Sequence, residues 1–518
     1  MPDAISRLDT VPGLTTIPWA RDLAAIAHEF ADGIAVADGI HTLTFRELAG
    51  RAAQIAHRLR DRGMQPGDPV ATSLRNSIPA VWATTGLRIA GAGDTPLNAS
   101  MSDAEREYSI GLSGAKLVVT TRAQAENFRK LGCDVIAVED FSDEPGDLLS
   151  LPNVPAEAYG RISFTSGTTG KPKAIVTTHG ARWIANLLQR ASFAQMPGPG
   201  DRVLLMTPYV HGAGILTQAF NDRGATAMLL DGVDLAQVVP LLDSGTIDYL
   251  FAPPTVLAKI LSAYEGRRVE GIRTLFCGTA PLLPSLYHKA RAVFGPVIRV
   301  TYGKSEITNP IATLSPAETD AYYSAPMEGD GVCVGFPGTG VEIELRNEEG
   351  AVLPPGEIGE VHLLGRHMSS GHFDQTGFIP LPPDGFHATG DFGRIDARGR
   401  LHLVGRVADV IKSGGYKIHP DEIERALSGT GAVSIVTLPS EYWGEVIVAV
   451  GETEDPAWPD RARAALGDLA RYKHPRAFVM FSDLARNAQG KIMRRLIREQ
   501  VLEKYTLQDG PYPTLEPR

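Results

Sequence analysis

Cysteine is scarce, with only Cys133, Cys277 and Cys333 in 518 residues. An odd, scattered trio excludes a disulfide framework and offers no metal-site spacing. Long apolar runs are missing too, and none approaches the roughly 18–20 residues that a membrane-spanning helix needs. The opening stretch MPDAISRLDTVPGL has no apolar segment of signal-peptide length. A reducing cytoplasm and no membrane span are therefore expected. Positive charge is in deficit: 50 Lys plus Arg against 60 Asp plus Glu leave a formal net charge of −10. That balance argues against nucleic acid or an anionic membrane as a bulk partner, so any polyanion must meet a local basic pocket. Lysine is the scarcer base, at 12 residues. Seven of these, Lys171, Lys173, Lys304, Lys412, Lys417, Lys473 and Lys491, fall in the segments singled out below, where a compact ammonium serves as a point charge.

What is present is an ordinary folded composition, 43% hydrophobic and 21% charged. The length suits roughly three or four domain-sized units, or two with one of them large. From about residue 65 to 310, short apolar runs such as DPVATSL, AKLVVTT, DRVLLMTPYV, IDYLFAPP, TLFCGTAP and VIRVTYG alternate with helical stretches. This is the pattern of βαβ units around mostly parallel sheet. After about residue 335 the pattern becomes polar–apolar alternation with Gly/Pro turns, which predicts antiparallel strands, including a hairpin turning near Arg398–Gly399. A compact unit of about 110 residues follows Arg406. Its helix at HPDEIERALSG carries Pro420, Asp421 and Glu422 at the start and Gly429 near the end.

The segment FTSGTTGKPK, Phe164 to Lys173, has the density of a phosphate-cradling loop. Ser166, Thr168 and Thr169 offer hydroxyls, Gly167 and Gly170 let backbone N–H groups face an anion, and Lys171 and Lys173 add charge. It is not a P-loop, because Pro172 stands where that motif begins its helix with a hydroxyl. A plain surface linker has the same composition. Four other segments decide against the linker.

In order and spacing over nearly the whole chain, five segments resemble those of the two-domain adenylate-forming enzymes: acyl-CoA synthetases, stand-alone adenylation domains and firefly-type luciferases. They are FTSGTTGKPK, TYGKSEIT (Thr301–Thr308), ATGDFG, GRVADVIKSGGYKIHPDEIE (Gly405–Glu424) and RNAQGKIMRR (Arg486–Arg495). The resemblance implies an α/β fold: a large N-terminal domain, 1–406, of βαβ-type sheets plus an antiparallel, β-barrel-like part, and a small mobile α+β C-terminal domain, 407–518. It implies a nucleotide site of Thr165, Ser166, Gly167, Thr168, Thr169, Lys171, Gly278, Thr279, Ala280, Tyr302, Gly303, Ser305, Asp391 and Arg406. Within it Tyr302 stacks on adenine against the Gly278–Ala280 wall. Asp391 accepts from both ribose hydroxyls, as a carboxylate with two oxygens can. Arg406 contacts ribose or phosphate. Glu306, with Ser305, holds Mg²⁺, a hard cation on oxygen ligands. Lys491 bridges the substrate carboxylate and the α-phosphate. Lys491, Glu306 and His211 make the catalytic set. On the thiol side, Gly414, Gly415, Tyr416 and Lys417 pass coenzyme A, and Ala408 is the hinge.

The acid class rests on an absence. Amino-acid adenylation domains carry an Asp in a Phe-Asp-x-Ser segment; here PYVHGAGI has no carboxylate. His211 and Gly212 instead resemble the His-Gly of acyl-CoA synthetases and luciferases, which implies an acyl pocket lined by His211, Gly212, Gly214 and Ile215, and the small residues of HGAGILTQA point to a sizeable apolar acid. The chain departs from the family pattern at Ala174, Thr279, Lys304, Ser305 and Ala408, mostly on the nucleotide side, so adenylation is expected to be the weaker half-reaction. The reading is an ATP-, Mg²⁺- and CoA-dependent acyl-CoA synthetase acting on a small-molecule carboxylic acid or an acyl-adenylate. Two rivals stay open: a stand-alone enzyme loading an acyl-carrier protein, and a nucleotide- or acyl-binding pseudoenzyme.

Overall fold

Alternating apolar strands and amphipathic helices fold into two large sheets. The structure, a computed structural model, describes residues 15–142, 144–165, 172–325, 331–414, 416–467, 469–487 and 490–518, without the side chains of Thr165, Asn309 and Lys417. The first sheet has eight strands. Pro69–Ser73, Gly93–Pro96, Leu117–Thr120, Asp134–Ala137 and Tyr159–Thr165 run parallel, and Lys173–Thr178, Gly371–Asp374 and Gly377–Pro380 extend it antiparallel. Tyr159–Thr165 leads directly into the Gly/Thr-rich loop.

The second sheet has thirteen strands. Ile34–Ala37, Thr226–Leu229, Arg202–Leu205, Tyr249–Phe251, Thr274–Cys277 and Ile298–Lys304 form its parallel half. The run DRVLLMTPYV is a shorter strand than its composition suggests. It ends at Leu205, and Pro208 turns the chain into the π-helical turn Tyr209–Ala213. Beyond Ile298–Lys304 every pairing is antiparallel, in the order Ile307–Leu314, Val332–Pro337, Leu401–Arg406, His387–Ile395, Gly359–Gly365, Val341–Arg346. The hairpin forms where expected, with Gly399 at φ +82° and Asp396 accepting from the backbone N–H groups of Arg398 and Arg400. This antiparallel part wraps upon itself around Tyr302, Ile307, Ile311, Val334, Leu363 and Leu401. Tyr302 and Asp391 stand on strands separated by three others, yet they hydrogen-bond. The right-handed twist of the sheet, accumulated over those strands, makes that possible.

Leu401–Arg406 is the last strand of the large sheet. From Ile411 onward the chain builds a separate five-stranded sheet with its own apolar clusters, one around Ile423, Ile447 and Trp458 and another around Val448, Phe481 and Ile497. The helix Pro420–Leu427 forms as its end signals require, extended by a 3₁₀ turn over Ser428–Thr430. Among the described residues no helix is long and apolar enough to cross a membrane.

The tightest helix–helix approach joins Phe45–Asp61, which opens with a Thr44/Glu47 capping box, to Ile78–Ala90. A Cβ on Gly86 would lie 1.8 Å from Ile55 Cγ2 and 2.9 Å from the Ala52 carbonyl oxygen. Gly86→Ala is therefore expected to destabilise the protein by about 1–2 kcal/mol, despite the ~1 kcal/mol by which alanine favours a helix interior. A lowered thermal midpoint checks this; an unchanged one would show that Ile55 moves aside freely.

Candidate active site

A single buried carboxylate organises the site. Asp391 lies mid-strand in His387–Ile395, 7% exposed, opposite Arg406 in the register with Leu401–Arg406. Its backbone N–H donates to Thr389 Oγ1 at 3.0 Å. Its Oδ2 accepts from the Tyr302 hydroxyl at 2.5 Å and from Lys304 Nζ at 3.1 Å. Arg406 Nε stands 3.7 Å from Oδ1. Burial, then the Asp391 charge and hydrogen bond, push the Tyr302 phenol well above its usual value, so it is a neutral donor.

Glu306 follows the Tyr302 strand, one-fifth exposed, with His387 Nε2 at 4.0 Å. Its backbone is held by the Ser369 N–H, which donates to the Glu306 carbonyl at 2.7 Å. Burial keeps the His387 imidazole below its usual value; Lys304 adds to this and Glu306 opposes it. Ser305, beside Glu306, is exposed and Gly303 is half-buried. A magnesium ion is usually held by one or two carboxylates plus phosphate oxygens and water. The lone Glu306 carboxylate fits that pattern, and among the described residues no larger acidic or His/Cys cluster offers an alternative.

Gly278, Thr279 and Ala280 leave the end of strand Thr274–Cys277, next to Tyr302. A Cβ on Gly278 would meet the Thr301 carbonyl at 2.7 Å. Thr279 has φ +68°, the one non-glycine with positive φ among the described residues. A β-branched residue there is strained.

His211 lies in the turn Tyr209–Ala213, where its own φ −117°, ψ −137° breaks the helical path. Arg161, from the strand leading to the Gly/Thr-rich loop, donates to the Val210 carbonyl at 2.5 Å and to Asp94 at 2.9 Å. The imidazole is open to solvent at its rim, but surrounding protein and the Arg161 guanidinium lower its pKa to about 4. It is neutral at physiological pH. Gly212 faces the Phe251 ring, 3.1 Å from where a Cβ would stand, and Ile215 is half-buried. The missing side chain of Gly214 points instead at the Tyr209 carbonyl, 2.5 Å away, so Gly214 lets the turn close and leaves no room there for added volume.

Lys491 is brought to this cluster from the far end of the chain. Its loop is pinned by Asn487, whose Oδ1 accepts from the Lys491 N–H and whose N–H donates to the Lys491 carbonyl, both at 2.9 Å. Gly490 faces Thr255 of the large sheet's helix Pro254–Leu261. The Lys491 side chain is solvent-accessible, yet enclosed enough that burial, then Arg406 and Arg494, lower its pKa; Asp391 and Asp421 pull the other way. Tyr302, Asp391, Arg406 and Lys491 thus converge, with Glu306 and His387 alongside.

Gly414 and Tyr416 make their contacts within the C-terminal sheet. Gly414 N–H donates to the Trp443 carbonyl at 2.9 Å, and the exposed Tyr416 ring stacks on Tyr472 at 4.1 Å. Ser166, Gly167, Thr168, Thr169, Lys171 and Gly415, and the side chains of Thr165 and Lys417, lie outside the described residues. Ala408 sits exposed in the 3₁₀ turn Val407–Asp409.

Sequence reading missed Arg494. It bonds Asp409, Asp421 and Glu424, the last at 2.6 and 3.1 Å, and so ties the turn after Arg406 to the helix Pro420–Leu427. The three-residue spacing of Asp421 and Glu424 puts both on one helix face, which is the signal that could have found the acidic half of this network. A separate cavity of about 620 Å³, lined by residues including Phe30, Ile34, Arg202 and Met228, shares no residue with the Asp391 cluster.

A family model described as AMP-binding enzyme matches residues 23–373. The chain belongs to that family. Among its relatives is a feruloyl-CoA synthase from Amycolatopsis sp., 29% identical, covering 90% of this chain and 95% of that one. A sulfoacetate–CoA ligase from Cupriavidus necator is 30% identical, covering 88% and 92%. The o-succinylbenzoate CoA synthetase from Bacillus subtilis, solved in complex with its acyl-adenylate intermediate, superposes with a TM-score of 0.81 at 26% identity, covering 92% of this chain and 97% of that one. The likeness to that synthetase accounts for the α/β architecture, and the family match takes in the first two of the five motifs.

Because a left-handed threonine costs about 1–2 kcal/mol and glycine loses about 0.5–1 kcal/mol of chain entropy, Thr279→Gly is expected to stabilise the fold by about 0.5–1 kcal/mol. Chemical denaturation of the variant measures it, and a loss of stability would mean that the threonine side chain makes compensating contacts.

Proposed function

We propose that this chain is an AMP-forming acyl-CoA synthetase working in the cytoplasm, with domains 1–406 and 407–518. The observation that carries the proposal is the gathering of Tyr302, Lys304 and Arg406 around the Asp391 carboxylate, with Lys491 of the C-terminal unit within electrostatic reach of Arg406 and Asp391. Three free, buried cysteines accord with a reducing compartment.

In the first step an acid carboxylate oxygen attacks the α-phosphorus of ATP, and the bond to pyrophosphate breaks. Tyr302 and the Gly278–Ala280 strip hold adenine, and Asp391 with Arg406 holds ribose. Lys491 stabilises the negative charge that builds on the α-phosphate and the carboxylate. Glu306, with Ser305 beside it, would hold Mg²⁺, whose contribution is charge neutralisation on the phosphates. In the second step the CoA sulfur attacks the acyl carbonyl and AMP leaves. The second domain turns on Val407–Asp409 between the steps and presents Gly414–Lys417.

The acid is a sizeable apolar one. Gly212, Ile215 and the Phe251 ring support this, as does an imidazole that stays neutral. The named relatives act on chemically different acids, so relatedness alone does not choose. The expectation that adenylation is the slower step carries over on Ala174, Thr279 and Ser305. The hinge drops out as a reason, because Asp409 and Arg494 supply the charge that Ala408 lacks.

Lys491→Ala is expected to lower acyl-AMP formation by roughly 10²–10³-fold, about 2.7–4 kcal/mol, while sparing thioester formation from synthetic acyl-AMP and CoA. Mass-spectrometric assay of each half-reaction across a carboxylic-acid panel checks both the activity and the acid class; equal loss in both steps sinks the assignment. Gly212→Val should move the acid profile toward shorter acids, since added volume in a packed site is not absorbed. An unchanged profile in the folded variant places the pocket elsewhere.

A further inference from the structure

A buried carboxylate stays ionised only with a counter-charge or hydrogen bonds that offset its lost hydration. Around Asp391 the candidates differ in how firmly they are held. Tyr302 is neutral. Arg406 is 48% exposed, at the last residue of its strand, and the turn that links the two sheets begins at the next residue. Lys491 belongs to the C-terminal unit. Lys304, like Arg406, ends a strand of the large sheet, but its side chain is only 15% exposed against 48% for Arg406. Two of its three donors are committed, to the Thr389 carbonyl at 2.6 Å and to Asp391 Oδ2 at 3.1 Å. It therefore grips the Thr389–Asp391 segment at two points. Both Lys304 and Tyr302 take Oδ2, while Oδ1 faces Arg406 Nε at 3.7 Å, beyond hydrogen-bond distance, so Oδ1 can still accept from the nucleotide.

We propose that Lys304 is a positioning residue for the nucleotide: it is the resident counter-charge that holds Asp391 oriented, with Oδ1 presented to the ribose hydroxyls, whether or not the C-terminal unit is docked. This rests on the acyl-adenylate reading of the site. It gives a departure from the motif a defined task, since in the Tyr-Gly-x-Thr-Glu pattern this is the unspecified position.

The test is calorimetric binding of AMP and of 2′,3′-dideoxy-AMP to the full chain and its variants. Lys304→Met, which keeps length and removes charge, is expected to weaken AMP binding roughly tenfold or more and to leave dideoxy-AMP binding nearly unchanged, because the hydroxyls through which Lys304 acts are missing. Lys304→Arg, which keeps a cation, should restore most of the AMP affinity. If Lys304→Met does not fold, Lys304→Gln, whose amide can still bond the Thr389 carbonyl, carries the same expectation. Equal losses for AMP and dideoxy-AMP, or no loss for either, overturn the proposal. Failure of the unaltered protein to bind AMP would instead overturn the functional reading beneath it.

Discussion

The buried carboxylate of Asp391 is the constraint on which the rest of the site depends. Water cannot reach it freely, so the protein must supply donors. It does so from two other strands: Ile298–Lys304 gives Tyr302 and Lys304, and Leu401–Arg406 gives Arg406, while the Thr389 hydroxyl on its own strand accepts from the Asp391 backbone N–H. Those strands are not all neighbours. The antiparallel half of the large sheet must wrap to bring the first over the second. The apolar cluster of Ile307, Ile311, Val334, Leu363 and Leu401 fills the inside of that wrap. Packing a hydrophobic interior and satisfying one charge are here the same geometric act.

Much of this was legible in the residues. Strands and helices between 65 and 310 announced themselves by alternation, because burial imposes periods of 2 and 3.6 on the side chains. Asp391, Tyr302, Arg406 and Lys491 could be singled out by their motifs, and Tyr302 and Arg406 do meet at Asp391, with Lys491 within electrostatic reach. What escaped were pairings across distance. Lys304 shows its charge in TYGKSEIT, but nothing there says that its partner lies 87 residues on. Arg494 likewise meets Asp409, Asp421 and Glu424 only through the tertiary fold. The turn at Tyr209–Ala213 escaped for another reason: its residues have strand propensity, and tertiary bonds from Asn76 and Arg161 override it.

The acyl side obeys a different logic from the nucleotide side. Around Asp391, charge is met with charge. Around His211, the Arg161 guanidinium lies behind the backbone, spent on Asp94 and on the Val210 carbonyl. Burial, and then that guanidinium's field, keep the imidazole neutral. A surface so arranged discriminates by volume and shape, which suits the apolar acid proposed for it.

Arg406 closes the large sheet, and Val407 opens the turn that leads into the smaller one. A single peptide bond thus separates the residue facing Asp391 from the turn that leads into the C-terminal sheet. Arg494, clamped on Asp409, makes the turn part of a stiff lever and not a slack tether. Under the proposed domain rotation, torque on that lever would reach Arg406 with almost no chain in between to absorb it. On the proposed reading, loosening of an Arg406 contact to ribose and reorientation of the small unit would be one mechanical event.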